Sequence, residues 1–177
     1  MIATHAQGNS SPFQLALQNE VHGLLGGAKE PLAPLGNGAD PHLQQQAADL
    51  QEKHGDVIRD FIRAQWHGTQ EDLKKGDVSH VTLYRAFHFH GNDPDWAKKP
   101  AGSVIDSPAA RPLSPWSFRQ QGAETAGTFV GGGHTVIVKA TVPREQIVAY
   151  PRSGFGCYPE GEFLVVDAPG QWEIIKS

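Results

Sequence analysis

The sequence predicts an α+β fold, with helices gathered toward the N-terminal half and short strands filling the C-terminal half. Two observations predict it. Leu43, Ala47, Leu50, Val57, Ile58, Phe61, Ile62 and Trp66 recur at three- and four-residue spacing, the period of an amphipathic helix. From Val81 onward the apolar residues instead come in short runs separated by turns rich in Gly and Pro, as strands require.

Composition narrows the class. A chain of 177 residues with 38% hydrophobic and 19% charged residues has the makeup of one soluble globular domain with an extension. The longest apolar runs, Thr135 to Val138 and Phe163 to Val166, fall far short of the roughly 20 residues a bilayer requires, so no membrane partner is expected. The N-terminus lacks the basic and apolar regions of a signal peptide. A net charge of −4 argues against charge-driven nucleic-acid binding. One cysteine, Cys157, excludes an internal disulfide and a multi-cysteine metal site.

Residues 1–40, rich in Gly, Pro, Ser, Asn and Gln, read as a flexible arm or linker containing one helix-compatible run, Phe13 to Leu25. Residues 41–177 read as a single domain, helical over 41–76 and strand-rich over 78–177. Gly55 interrupts the helical pattern and Asp56 could cap a second helix, which leaves one bent helix and two separate helices both open. Thr69 to Asp72 has the composition of a further N-cap and first turn, closed by Lys74, Lys75 and Gly76.

Val81 to Phe87 reads as a strand with Val81, Leu83, Arg85 and Phe87 on one face and Thr82, Tyr84 and Ala86 on the other. Arg85 thus shares a face with apolar residues and calls for a carboxylate or phosphate partner, either as a structural ion pair or as a ligand contact. His88 and His90 would share a face, but no third ligand stands at a recognisable spacing, and no metal is expected. Asn92 to Pro112 reads as loop, Arg119 to Phe129 as helix, and Gly131 to Gly133 as a turn. Thr135 to Val142, Ile147 to Tyr150, Phe163 to Asp167 and Trp172 to Ile175 read as further strands. Ser117, ahead of the helix, would also serve as its N-cap.

The most unusual stretch runs from Arg152 to Val166. It carries two carboxylates, Glu160 and Glu162, at the mouth of an apolar strand and behind a Gly-rich loop bearing Phe155 and Tyr158. On a strand the two acids would share a face, about 6.5–7 Å apart. A solvated strand end explains such a pair as readily as a cleft does; the loop favours the cleft.

Three features stand in order along the chain: Arg85 ending Thr82-Leu83-Tyr84-Arg85, the segment Ser114-Pro115-Trp116-Ser117, and Glu160-Gly161-Glu162 behind its aromatic loop. Together with Val142 to Ile147 before that loop, they resemble the arginine, serine and glutamate signature of the ADP-ribosyltransferase toxins and their relatives, the diphthamide-independent branch. The resemblance covers roughly Asp56 to the C-terminus. It implies N-terminal helices packed on a two-sheet β core, with NAD bound as a substrate in the cleft between the sheets. It also implies Glu162 as the catalytic glutamate, Glu160 as its upstream partner in arginine-modifying members, and Arg85 as the holder of the NAD phosphates. Phe155 or Tyr158 is the implied aromatic of the substrate-recognition loop, and Tyr84 or Trp116 would line the nicotinamide pocket. Members usually read Ser-Thr-Ser in the middle motif. Here Ser117 takes the place of the last serine and Pro115 that of the first, with Ser114 one position early as the second choice.

What the resemblance implies is a mono-ADP-ribosyltransferase acting on a protein arginine, as a bacterial or phage effector in the cytoplasm of a target cell or as a cytoplasmic enzyme. A target protein and an immunity protein or antitoxin are the implied partners. Two other classes remain: the same site with water or a nucleic acid as acceptor, and a non-catalytic binding domain in which Arg85 and Glu162 form a structural ion pair.

Overall fold

A computed structural model describes residues 11–25, 40–91, 93–107, 112–128, 133–153, 161–166 and 170–177. The fold is α+β, with three α-helices and a seven-stranded antiparallel sheet among the described residues. The helices are α1 (Pro12–Leu25), α2 (Pro41–Lys75) and α3 (Gln120–Thr128). The strands are β1 (His80–Phe89), β2 (Val104–Asp106), β3 (Leu113–Ser117), β4 (His134–Pro143), β5 (Ile147–Ala149), β6 (Glu162–Val166) and β7 (Gln171–Lys176), in the order β2-β7-β4-β1-β3-β6-β5. No helix among the described residues is long and apolar enough to cross a membrane.

The expected helix-compatible run in the arm is a docked helix. Ala16, Leu17 and Val21 of α1 are buried against Ala47, Ile58 and Ile62 of α2 and against Leu113, Leu164 and Val166 of the sheet. Gln18 fixes the contact: its side-chain amide donates to the Leu113 carbonyl at 2.9 Å and accepts from the Leu113 N–H at 2.8 Å. Residues 12–25 therefore pack as part of the domain instead of forming a loose tether. The pattern hid this because only one face of a short helix is apolar.

Of the two readings left open around Gly55, the structure has the single helix and not two. The helix runs unbroken for 35 residues from an Asp40 cap, whose carboxylate accepts from the His42 N–H at 2.9 Å, to a C-cap at Gly76. A Cβ on Gly55 would lie 3.0 Å from a guanidinium nitrogen of Arg59 and 3.4 Å from the Glu20 carboxylate. The glycine makes room for the Arg59–Glu20 ion pair that ties α1 to α2, and Asp56 pairs with the same arginine instead of capping. Val57 and Phe61, read as part of the apolar stripe, are exposed.

Thr69 to Asp72 are likewise interior to α2, and their polarity serves the sheet. Thr69, fully buried, donates to the Val148 carbonyl at 2.9 Å, and the Gln70 amide donates to the carbonyls of Arg144 at 2.9 Å and Ile147 at 2.8 Å. These side chains satisfy carbonyls of the edge strand β5 and of the turn before it, groups that would otherwise be open to another chain.

Asp72 also accepts a hydrogen bond from the Tyr150 hydroxyl. Burial first, and then this bond, push the Tyr150 phenol up to about 12. An acid whose folded-state value lies above its unfolded value of about 10 contributes stability that is complete below pH 10 and disappears as pH rises toward 12. Denaturant midpoints are expected to fall more steeply between pH 10 and 12 in the native protein than in Tyr150→Phe; parallel curves would show that the phenol does not titrate this way.

The strands form one hydrogen-bonded sheet where two were expected, because β1 joins β3. The join is a single residue pair, Tyr84 opposite Ser117, whereas β1 pairs with β4 at ten positions from His80 to Phe89. The halves β2-β7-β4-β1 and β3-β6-β5 share the larger apolar core, in which Leu83, Val136, Val138 and Ile174 of one half meet Trp116, Phe163, Val165 and Ile147 of the other. Trp116 and Trp172 cross edge-on at 5.4 Å. The smaller core lies between the helices and the β3-β6-β5 half. Strand β2 falls inside the segment read as loop; its three residues alternate exposed, buried, exposed and pair with β7, a signal too short to read without its partner.

Candidate functional site

Strand β6 begins at Glu162, directly after a turn at Gly161 whose φ is +58°. That conformation suits glycine. A Cβ there would also fall 2.0 Å from the Phe118 ring, so this position is closed to other residues twice over. Of the two glutamates, Glu162 opens the strand. Glu160, Phe155, Tyr158 and the rest of the 154–160 loop lie outside the described residues.

Register then brings two of the predicted residues together. Ser117, the last residue of β3, lies directly opposite Glu162, the first of β6, and Ser117 is in turn opposite Tyr84 on β1. Tyr84, Ser117 and Glu162 thus form one row across three adjacent strands, and residues directly opposite share a face. Glu162 is 3% exposed and Ser117 6%. A carboxylate so far out of water at the start of an apolar strand is costly and runs against simple stability.

Ser117 holds its place through the chain that follows. Its hydroxyl accepts from the Arg119 N–H at 3.1 Å, which makes it a tight-turn residue two positions ahead of a true N-cap, since α3 starts at Gln120. The Phe118 N–H donates to the Gly161 carbonyl at 3.2 Å. These bonds clamp the end of β3 to the start of β6 around the Ser117–Glu162 pair.

Arg85 is the next residue of β1 after Tyr84, so it leaves the strand on the alternate face, that of Leu83 and Phe87. Its guanidinium carbon lies 4.8 Å from the centre of the Phe87 ring. Ser114 is fully buried and sits opposite Val165, three residues from the row, so of the two serines Ser117 is the one that faces the glutamate. Trp116, expected to line a nicotinamide pocket, is 2% exposed and packed in the larger core. Phe118 was not singled out in sequence, although an aromatic directly after the motif serine was a visible signal.

No His, Cys, Asp and Glu cluster among the described residues could hold a metal ion. His88 and His90 do meet, with rings 4.7 Å apart, and His88 also contacts the Thr135 hydroxyl at 2.8 Å. A separate groove of about 460 Å³ is lined by Val104, Lys139, Thr141, Gln171 and Glu173 and holds none of the predicted site residues. Lys139 and Glu173 close on each other there at 2.6 Å, and the carboxylate raises the lysine above its ordinary range.

No protein-family model, curated protein or solved structure matches the chain.

Proposed function

We propose that the protein is a mono-ADP-ribosyltransferase that cleaves the nicotinamide–ribose bond of NAD and transfers ADP-ribose to an arginine side chain of a target protein. One observation carries this reading: the strands bearing Arg85, Ser117 and Glu162 are neighbours in the sheet, with Ser117 directly opposite the buried Glu162. Three separate sequence segments that carry the residues this chemistry needs lie on adjacent strands.

Cleavage of that bond builds oxocarbenium character on the ribose, as in glycoside hydrolysis, and a carboxylate stabilises it. Glu162 fills that role, accepting a hydrogen bond from a ribose hydroxyl while its charge faces the developing cation. The low dielectric of a buried position strengthens the interaction. The bonding electrons leave with nicotinamide, whose pyridinium nitrogen becomes neutral. A guanidine nitrogen of the acceptor forms the new bond to the anomeric carbon, and Glu160 takes its proton. Ser117 orients Glu162, and Arg85 offers a bidentate fork to the diphosphate. NAD is consumed as a substrate.

This activity fits a bacterial or phage toxin or effector working in the cytoplasm of a target cell, restrained by an immunity partner in the cell that makes it. The test is to follow labelled NAD with the purified chain and cell lysate, measuring nicotinamide release and label transfer with and without nuclease. Nuclease-resistant label on protein is expected. Label removed by nuclease would move the acceptor to nucleic acid, and release without transfer would make the enzyme a glycohydrolase. Intact NAD would overturn the reading.

A further inference from the structure

Phe118 directly follows the buried Ser117 and yet leaves 42% of its surface open. An exposed phenylalanine is ordinary by itself. This one is held in place. Its N–H bonds the Gly161 carbonyl, its ring occupies the space left by the missing Gly161 side chain, and Phe163 braces it at 6.3 Å. The ring already carries a guanidinium, since the Arg119 side chain stacks with its central carbon 4.7 Å from the ring centre. Arg119 is exposed, and among the described residues none of the ion pairs involves it.

Resting on the transferase reading above, we propose that the Phe118 ring is the seat of the acceptor guanidinium and that Arg119 is an internal occupant which an incoming arginine displaces. Guanidinium groups are planar and weakly hydrated, and they stack well on aromatic faces. A ring fixed against Gly161, the residue before Glu162, would hold such a group at the head of the strand that carries the carboxylate. The exposed Arg119 leaves at little cost, since an unpaired surface side chain regains rotamer freedom. Phe118 would then set acceptor specificity: a flat cation is favoured over water.

The experiment uses the whole chain with NAD and agmatine, a small guanidine. Its readouts are the KM for agmatine and the ratio of ADP-ribosyl-agmatine to free ADP-ribose. Phe118→Leu is expected to raise that KM about five- to tenfold and to shift the ratio toward hydrolysis, while Phe118→Trp restores both. Arg119→Ala is expected to lower the KM about two- to threefold, because the competitor is gone. Opposite signs at adjacent positions separate a seat from structural damage, which moves both variants the same way. An unchanged KM in Phe118→Leu, or a raised KM in Arg119→Ala, overturns the proposal; Arg119→Ala decides it alone if Phe118→Leu does not fold. Nicotinamide release by the native chain without agmatine labelling removes the seat but keeps NAD cleavage, whereas intact NAD removes both.

Discussion

Glu162→Gln is expected to lower the rate of nicotinamide release on the order of 10³-fold while the melting temperature holds or rises. In the proposed reaction the rate effect follows from removing the negative charge that would face the ribose cation, because a neutral amide of the same shape keeps the packing and loses the electrostatic stabilisation. The stability effect has the opposite origin. Glu162 is 3% exposed at the start of a strand whose other residues are all buried and apolar. Taking a carboxylate out of water costs free energy that an amide largely avoids. A residue kept for its charge and not for its packing should show this split. Glu160→Gln is expected to keep nicotinamide release and lose transfer to arginine, since its assigned task is the acceptor's proton. Stopped-assay rates and a thermal melt on the same preparations decide it. Full NAD consumption by Glu162→Gln, or a melting temperature lowered by many degrees with no NAD consumption in the native chain, would make Glu162 a structural residue and leave a non-catalytic domain.

Gly161→Ala should destabilise the protein by on the order of 2–5 kcal/mol. Roughly 1–2 kcal/mol comes from forcing a residue with a Cβ into left-handed backbone, and a further 1–3 kcal/mol is typical of overpacking against a neighbour that cannot easily retreat. Here the neighbour is the Phe118 ring, with one carbon 2.0 Å and another 2.3 Å from the new methyl group. Relief requires the ring to swing out, which also breaks the clamp between the Phe118 N–H and the Gly161 carbonyl. Urea unfolding of the two proteins measures the difference. A loss below about 1 kcal/mol would mean that the turn can flip to ordinary backbone without cost and that Gly161 does not hold the site.

The pairing of Ser117 with Glu162 shows where the sequence reading reached and where it stopped. Both residues stood out by type, a serine between aromatics and an acid at the head of Phe163 to Val166. Nothing local says that they sit opposite each other, because 44 intervening residues, the difference 162 − 117 less one, carry a helix and two strands between them. Sheet register between distant segments is set by packing of the whole core. The same alternation that placed Arg85 with Leu83 and Phe87 cannot show the turn at Gly161, where φ is positive, because only a partner such as the Phe118 ring reveals it.

The sequence by itself determined the α+β class, strand β1 with its two faces, most of the C-terminal strands, the end of α2 at Gly76 and the candidacy of Arg85, Ser117 and Glu162. These follow from side-chain period and residue chemistry, which act over a few residues. Tertiary structure alone decided that α1 is docked through Gln18, that Gly55 is a clearance for Arg59 inside a single helix, that Thr69 and Gln70 serve edge strand β5, and that Phe118 lies against Gly161 beside Glu162. Each depends on a partner from another segment, and the sequence of one segment cannot express which backbone or ring its side chains will meet once the core has closed.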